Sequence, residues 1–321
     1  MKILITGAAG FVGAALVHRL VKVPRFEIVA AVRQPASDHC SNIKFVRIED
    51  IAPATDWGDA LKDVAVVIHT AARVHVMRDT VADPLAEFRR VNVKATLNLA
   101  RQAAAAGAHR FVFISTIKVN GEGTCTGAPY LADDEPAPVD PYGISKAEAE
   151  RGLRALAVET GLDVVIIRPP LVYGPGVKGN FLSMMRWLYK GVPLPLGAIH
   201  NRRSLVVLDN LVDLIMTCVE HPAAANQTFL VSDDEDLSTT ELFRRMGDAL
   251  GTPARLLPVP AWVLMTGAAL LGKRALSQRL CGSLQVDISK TKSLLGWSPL
   301  VSVNDGLRGA AQHFSTMDGV E

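Results

Sequence analysis

Tyr142 and Lys146 bound the run Tyr142-Gly143-Ile144-Ser145-Lys146, in which a phenol and a primary amine four residues apart share one face of a helix. An ammonium beside a phenol lowers the phenol's pKa, so the pair can exchange a proton with a substrate near neutral pH. Thr116 follows an apolar strand at 110–115, and its hydroxyl can bind the same substrate oxygen. Tyr-x-x-x-Lys alone is common by chance. Its weight comes from the start of the chain, MKILITGAAGFVG, where a short apolar strand meets a glycine turn and then a helical pattern from Phe11. Gly7 can turn sharply off the strand, Gly10 lets a pyrophosphate approach the backbone, and Gly13 lets the helix pack on the sheet. The helix N-terminus offers free N–H groups and partial positive charge to an anion. A dinucleotide held by Gly7, Gly10, Phe11, Val12 and Gly13 is therefore expected, with Lys146 also holding its nicotinamide ribose.

The elements that must position these groups alternate in type. FEIVAAVR (26–33) is a second β-rich run, ending 20 residues after Gly13, where a dinucleotide-binding unit normally sets an acid on the adenosine ribose. Arg33 stands there instead, followed by Gln34 and Pro35, and a guanidinium suits a 2′-phosphate. NADP(H) is expected in preference to NAD(H); the plain alternative is an exposed arginine at a strand end. Behind the third strand (44–48), Asp50 could accept from the adenine amino group or cap the next turn, with Ile51 beside it. VAVVIHTAA (64–72) has the continuous apolar run of a parallel strand buried on both faces, and Ala71 and Ala72 leave room for the cofactor at its end. A helical pattern spans 84–106. Asn92 near its middle is either a surface residue or a polar anchor near the nicotinamide ribose. A fifth strand (110–115), a loop rich in Gly, Pro and Asp, the helix carrying Tyr142 and a sixth strand (163–169) follow. This order predicts an α/β fold with a doubly wound parallel (Rossmann) sheet, whose ligands sit at the strand carboxyl ends. Ser115 and Pro169 lie at such ends and are expected at the cofactor.

Past Pro170, prolines and glycines punctuate shorter pieces, as expected of a smaller mixed α/β substrate lobe. A strand at 205–208 and a helix at 209–220 are expected to return to the main sheet, and 226–232 to add a strand. Further helices are expected over 181–190, 238–250, 262–271, 289–295 and 303–314. The dinucleotide-binding domain would comprise 1–170 plus about 205–232, and the substrate lobe about 171–204 plus 233–316.

A formal charge of +2 over 321 residues gives no electrostatic case for nucleic acid. Cys40, Cys125, Cys218 and Cys281 are far apart with no metal-ligand spacing, as expected of reduced thiols in a cytoplasmic protein. The first residues read as a strand and turn rather than a signal peptide. The longest apolar stretch, 261–271, is about half of a bilayer span, so no integral membrane segment is expected. It reads as a buried helix, with a membrane-surface contact as the alternative.

Together the pieces TGAAGFVG, VIHTAA, Asn92-Val-Lys-Ala-Thr96, FVFIST, PYGISKAEAE, RPPLVYGPG and DISKTKSLLGWSP span nearly the whole chain. In them the chain resembles the extended short-chain dehydrogenase/reductase family of nucleotide-sugar epimerases, dehydratases and reductases. The resemblance implies that Tyr142 is the acid/base, Lys146 its partner and Thr116 the third member, with Asn92 supporting the site. It implies a nucleoside-diphosphate sugar, here a UDP-sugar, with Asn180, Arg203 and Arg279 at its diphosphate or nucleotide. For Arg279 an ordinary surface position is the alternative. Lys118 would reach the sugar or phosphates, or else be a solvated loop lysine. It also implies a homodimer through a four-helix bundle built from the helices at 84–106 and 142–159, although the alanines that would allow this can equally serve packing within one chain.

Departures from the family pattern narrow the reaction. Dehydratases of this type carry Asp-Glu after the catalytic Thr; this chain has Ile117, which cannot move a proton, and Lys118, which brings a different charge. Related decarboxylases keep a glutamate where Lys118 stands. A 4-ketoreductase and a 4-epimerase with tightly bound NAD remain. Arg33 and the run STIKVNGE, which resembles bacterial O-antigen reductases of UDP-4-keto-6-deoxy-N-acetylhexosamines, favour an NADPH-dependent reductase giving UDP-N-acetylquinovosamine or its C4 epimer. Reduction of a carbonyl outside the nucleotide sugars, and a non-catalytic dinucleotide sensor or scaffold, are the remaining alternatives. The sensor is disfavoured because both Tyr142 and Lys146 are present.

Overall fold

The computed structural model describes residues 1–34, 42–74, 83–270, 272 and 274–317. Its first part runs β1 (Lys2–Thr6), α1 (Phe11–Leu20), β2 (Glu27–Val32), β3 (Ile43–Arg47), α2 (Gly58–Leu61), β4 (Val66–His69), α3 (Pro84–Phe88), a π-helical stretch (Arg89–Ala95), α4 (Thr96–Ala105), β5 (Arg110–Ile114), α5 (Pro141–Thr160) and β6 (Asp163–Arg168). The remainder is β7 (Leu171–Tyr173), α6 (Gly179–Tyr189), β8 (Arg203–Val207), α7 (Leu208–Glu220), β9 (Thr228–Leu230), β10 (Asp236–Leu237), α8 (Thr239–Ala249), α9 (Ala261–Leu270), α10 (Arg274–Cys281), α11 (Ser289–Leu295) and α12 (Val303–Met317).

Seven parallel strands form the main sheet in the order β3-β2-β1-β4-β5-β6-β9. The chain moves outward from β1 to β3 and then returns to place β4 on the other side of β1, so the crevice lies at their carboxyl ends. The central strands β1, β4, β5 and β6 are apolar in their interiors because both faces are covered. Ile3, Ile5, Val66, Ile68, Val112 and Ile114 join the layer of α1 and α7. Their neighbours Leu4, Val67, Phe111 and Phe113 join the opposite layer, with Leu99 and Ala103 of α4 and Ala149 and Leu153 of α5.

The second sheet is mixed: β8 lies between β7, which is parallel to it, and β10, which is antiparallel. This corrects the expectation that residues 205–208 return to the main sheet. Pro169 and Pro170 supply no backbone N–H to continue β6, so the chain leaves that ladder and starts β7 elsewhere. The helix after β8 does return, packing on α1, and β9 completes the main sheet. A third core, built around Tyr173, Phe181, Phe243 and Leu307, sits in the smaller lobe.

The apolar helix α9 corrects a second expectation, since none of its residues is buried. Among the described residues, Ala261 and Leu264 pack on the small-lobe core, because ten residues that are apolar on every side cannot all face one core. No described helix is long and apolar enough to cross a membrane. Among the described residues, no cluster of His, Cys, Asp and Glu could hold a metal ion. Cys125, Cys218 and Cys281 are free thiols, and Cys40 lies outside the described residues.

Candidate active site

The turn from β1 into α1 is pressed against the end of β4. Gly7 has φ +68°, and a Cβ there would lie 2.7 Å from Thr70 Oγ1 and 2.8 Å from the Ala71 nitrogen. A Cβ on Gly13 would lie 2.1 Å from the Gly7 carbonyl oxygen, so α1 starts closer to the strand than any side chain permits. Gly10 is the N-cap and brings no side chain to the N–H groups of the first turn at Phe11, Val12 and Gly13. Half-buried Ala71 and Ala72 face the same crevice end. A glycine turn packed this tightly on the strand ends, leading into a helix N-terminus with no side-chain cap, fits a dinucleotide pyrophosphate.

Arg33 is exposed at the end of β2. Asp50 accepts from the Ile51 nitrogen at 2.9 Å and pairs with Arg90 at 3.4 Å. Asn92 lies in the π-helical stretch, a geometry often found at functional sites. Its amide donates to the Arg73 carbonyl and to Ser145 Oγ, both at 3.0 Å, and accepts from the Arg73 nitrogen at 2.9 Å. With both amide hydrogens used, Asn92 clamps the segment after β4 to α5.

Tyr142 opens α5 behind Pro141 at the first helical position and the N-cap Asp140, whose carboxylate accepts from the Gly143 nitrogen at 2.6 Å. Phe88 meets the Tyr142 ring edge-on at 6.0 Å between centroids. Thr116 begins a 3-10 turn (Ile117–Val119) whose Lys118 carbonyl would be 2.9 Å from a Cβ on Gly143, so turn and helix start are in contact. Lys118 is ion-paired with Asp140 and, at 3.2 Å, with Glu122.

The phenol does not have the lowered pKa that the Tyr–Lys spacing implies. Burial and the negative Asp140 push it up. Lys146 is 1% exposed, donates to the Ile114 carbonyl at 2.7 Å and lies 4.2 Å above the Phe113 ring. Burial pulls its ammonium down to about 7, against the opposing pull of Glu150. Asp140→Asn keeps the helix cap while removing the charge that disfavours phenolate. The pH limb of turnover that reports phenol deprotonation should therefore move to lower pH, by on the order of one unit. A pH–rate profile of the variant checks this, and an unmoved limb would separate Asp140 from the phenol's titration.

Beneath the site lies a buried network that sequence reasoning missed. Glu150 accepts from Ser115 Oγ at 2.5 Å and from Arg168 at 2.6 and 3.0 Å, and Arg168 also donates to Asn120 at 3.0 Å. It joins the ends of β5 and β6 to α5 and uses the hydroxyl of Ser115, while the Pro169 carbonyl accepts from the Ile117 nitrogen. The available signal was Arg168, a charge closing an apolar strand, which must be paired if buried. His69 was also missed. It joins Thr6 and Thr96 through its two ring nitrogens at 2.7 and 3.0 Å, and burial holds its pKa near 3.

In the smaller lobe, Arg203 donates to the Gly282 carbonyl at 3.0 Å, and both burial and the nearby Arg279 lower its pKa. The two guanidiniums thus share one electropositive spot. Asn180 is exposed at the start of α6.

The profile of the NAD dependent epimerase/dehydratase family matches residues 3–232. The chain belongs to that family and is an NAD(P)-dependent oxidoreductase. It is 51% identical over 313 residues to a UDP-glucose 4-epimerase of Vibrio cholerae, covering 97% of this chain and 95% of that one. It is similar to the structure of MoeE5 in complex with UDP-glucuronic acid and NAD, at 26% identity and TM-score 0.77, covering 98% of this chain and 99% of that one. It is also similar to DesIV (dTDP-glucose 4,6-dehydratase) from Streptomyces venezuelae with NAD and TYD bound, at 27% identity and TM-score 0.78, covering 99% and 98%.

These findings overturn two expectations. The half-identical relative is a 4-epimerase, which counts against the NADPH-dependent 4-ketoreductase and its O-antigen subfamily. MoeE5 and DesIV hold NAD, which counts against the preference for NADP(H). The physical reason is visible at both signals. An exposed Arg33 at a strand end carries no commitment to a phosphate, and the lysine of STIKVNGE is held by Asp140 and Glu122.

Proposed function

We propose that this chain is a UDP-sugar 4-epimerase that works with NAD, acting on a UDP-hexose or UDP-N-acetylhexosamine. What supports the reading is the gathering of Tyr142, Thr116 and Lys146 at the carboxyl end of β5, in a chain half identical to a UDP-glucose 4-epimerase over nearly its whole length. NAD would be held by the glycine turn, the first turn of α1, Ala71 and Ala72, and when bound it supplies reversible hydride acceptance. Tyr142 takes the proton from the sugar 4-hydroxyl and later returns it, while Thr116 hydrogen-bonds the same oxygen. Lys146 is the cationic partner of the phenol. Arg203, Arg279 and Asn180 meet the diphosphate or nucleotide, where planar guanidiniums match phosphate oxygens. The reading includes a homodimer through α4 and α5, on which Ala155 and Val158 are exposed.

Denaturing freshly purified protein and identifying the released nucleotide tests the cofactor, and incubation with UDP-glucose or UDP-N-acetylglucosamine without added cofactor tests the reaction. The expected result is NAD in the released fraction and formation of the C4 epimer. Conversion that requires added NADPH and stops at one reduction would overturn the proposal.

A further inference from the structure

The helix α9, AWVLMTGAAL, contains no charged residue and lies on the outside of the smaller lobe. Trp262 is 69% exposed, Met265 51% and Leu270 84%, and Leu257 just ahead of the helix is 51% exposed. Isolated exposed apolar residues are ordinary, but a run of them on one short element marks a contact surface. Among the described residues, Ala261 and Leu264 are the members of the helix packed on the small-lobe core, and the helix also packs on α10. A ten-residue apolar helix is too short to span a bilayer, and this one is not a core helix, which leaves an interfacial position.

The charges around it decide what it meets. Residues 249–286 contain no Asp or Glu, whereas Arg255, Lys273, Arg274 and Arg279 fall within them. Arg202 and Arg203 adjoin the same region, through backbone bonding of Arg202 with Leu284 and the proximity of Arg203 to Arg279. In sequence, α9 is thus followed within four residues by Lys273 and Arg274, and no acid occurs from 249 to 286. A second copy of this chain would bring the same positive charges face to face. An anionic bilayer supplies both missing halves, an apolar layer for the helix and negative headgroups for its flanks. Tryptophan also suits that boundary, where an amphipathic ring sits at headgroup level.

We propose that α9 with its cationic flanks docks this chain on an anionic lipid surface, the helix lying in the boundary between headgroups and acyl chains. The docking places the smaller lobe, with Arg203 and Arg279, next to the bilayer. It is independent of which reaction the chain catalyses.

The test is flotation of the full-length protein with vesicles of phosphatidylglycerol and phosphatidylethanolamine, or of phosphatidylcholine alone, at low and at 1 M salt. At least about tenfold more protein should float with the anionic vesicles at low salt, with most of that excess lost at 1 M. Trp262→Ser with Met265→Ser should abolish the binding while leaving the melting temperature and the released nucleotide unchanged. Lys273→Gln with Arg274→Gln should remove the preference for anionic lipid. No flotation by the wild type, or equal flotation with neutral vesicles, would overturn the proposal. So would a self-association that the Trp262/Met265 variant abolishes without vesicle binding, since a second copy would then cover the helix.

Discussion

Replacing Tyr142 by Phe is expected to lower turnover by about 10²- to 10⁴-fold, the range by which a positioned general acid/base accelerates a reaction. The fold should not register the change. The ring keeps its edge-on contact with Phe88, and Ser145 Oγ donates to the Tyr142 backbone carbonyl, which the substitution retains. Helix α5 keeps its cap because Asp140 bonds to the Gly143 nitrogen. The variant should therefore release the same nucleotide on denaturation as the wild type and melt at nearly the same temperature. Steady-state conversion of the UDP-sugar, measured beside those two controls, gives the answer. Turnover within a few-fold of wild type would remove the phenol from the proton transfer.

The second large effect concerns stability. Glu150→Ala should cost about 3–5 kcal/mol, because it leaves the Arg168 guanidinium buried without its counter-ion. Glu150 is 2% and Arg168 1% exposed, so water cannot take over the lost contacts. The Ser115 hydroxyl loses its acceptor as well. Such a loss is a large share of the stability of an ordinary domain and should lower the melting temperature by on the order of 10 °C. Adding Arg168→Met removes the stranded charge, so the double variant should lose less than the sum of the two single losses. Thermal melts of the four proteins test this, and strict additivity would show that the pair does not act as a unit.

Much of the fold could be read from local pattern. The strand–glycine–helix start, the apolar runs with their intervening helices and the Tyr-x-x-x-Lys spacing are all signals that neighbours in sequence carry. What could not be read depends on residues that sequence does not place together. The LVV of β8 is as apolar as the interior of a main-sheet strand, and nothing in it says which sheet it joins. Asn92 sits in a helical pattern, but its amide is consumed only because a π-helical stretch turns it toward Arg73 and Ser145. The Tyr–Lys spacing is there, whereas burial and then Asp140 push the phenol's pKa up rather than down. Arg33 is the instructive error: the chemistry of a guanidinium at a strand end is compatible with a phosphate, but compatibility is not occupancy. α9 misled in the opposite direction, since apolar composition alone says that a helix avoids water and not what it meets.

The two-sided burial of the main sheet has a consequence for how its alignment is encoded. In a sheet with one wet face, a one-residue slip is rejected because it sends polar groups inward. Here Ile3 and Leu4, or Val112 and Phe113, are all apolar, and a slip would exchange one oily set for another. The message that fixes alignment must then be written in size. Phe111 and Phe113 share their layer with Ala100, Ala103 and Ala149, small residues that leave room for two large rings, while Val112 and Ile114 share theirs with Leu211 and Ile215. Shape, rather than polarity, is the alphabet in which this sheet spells its own order.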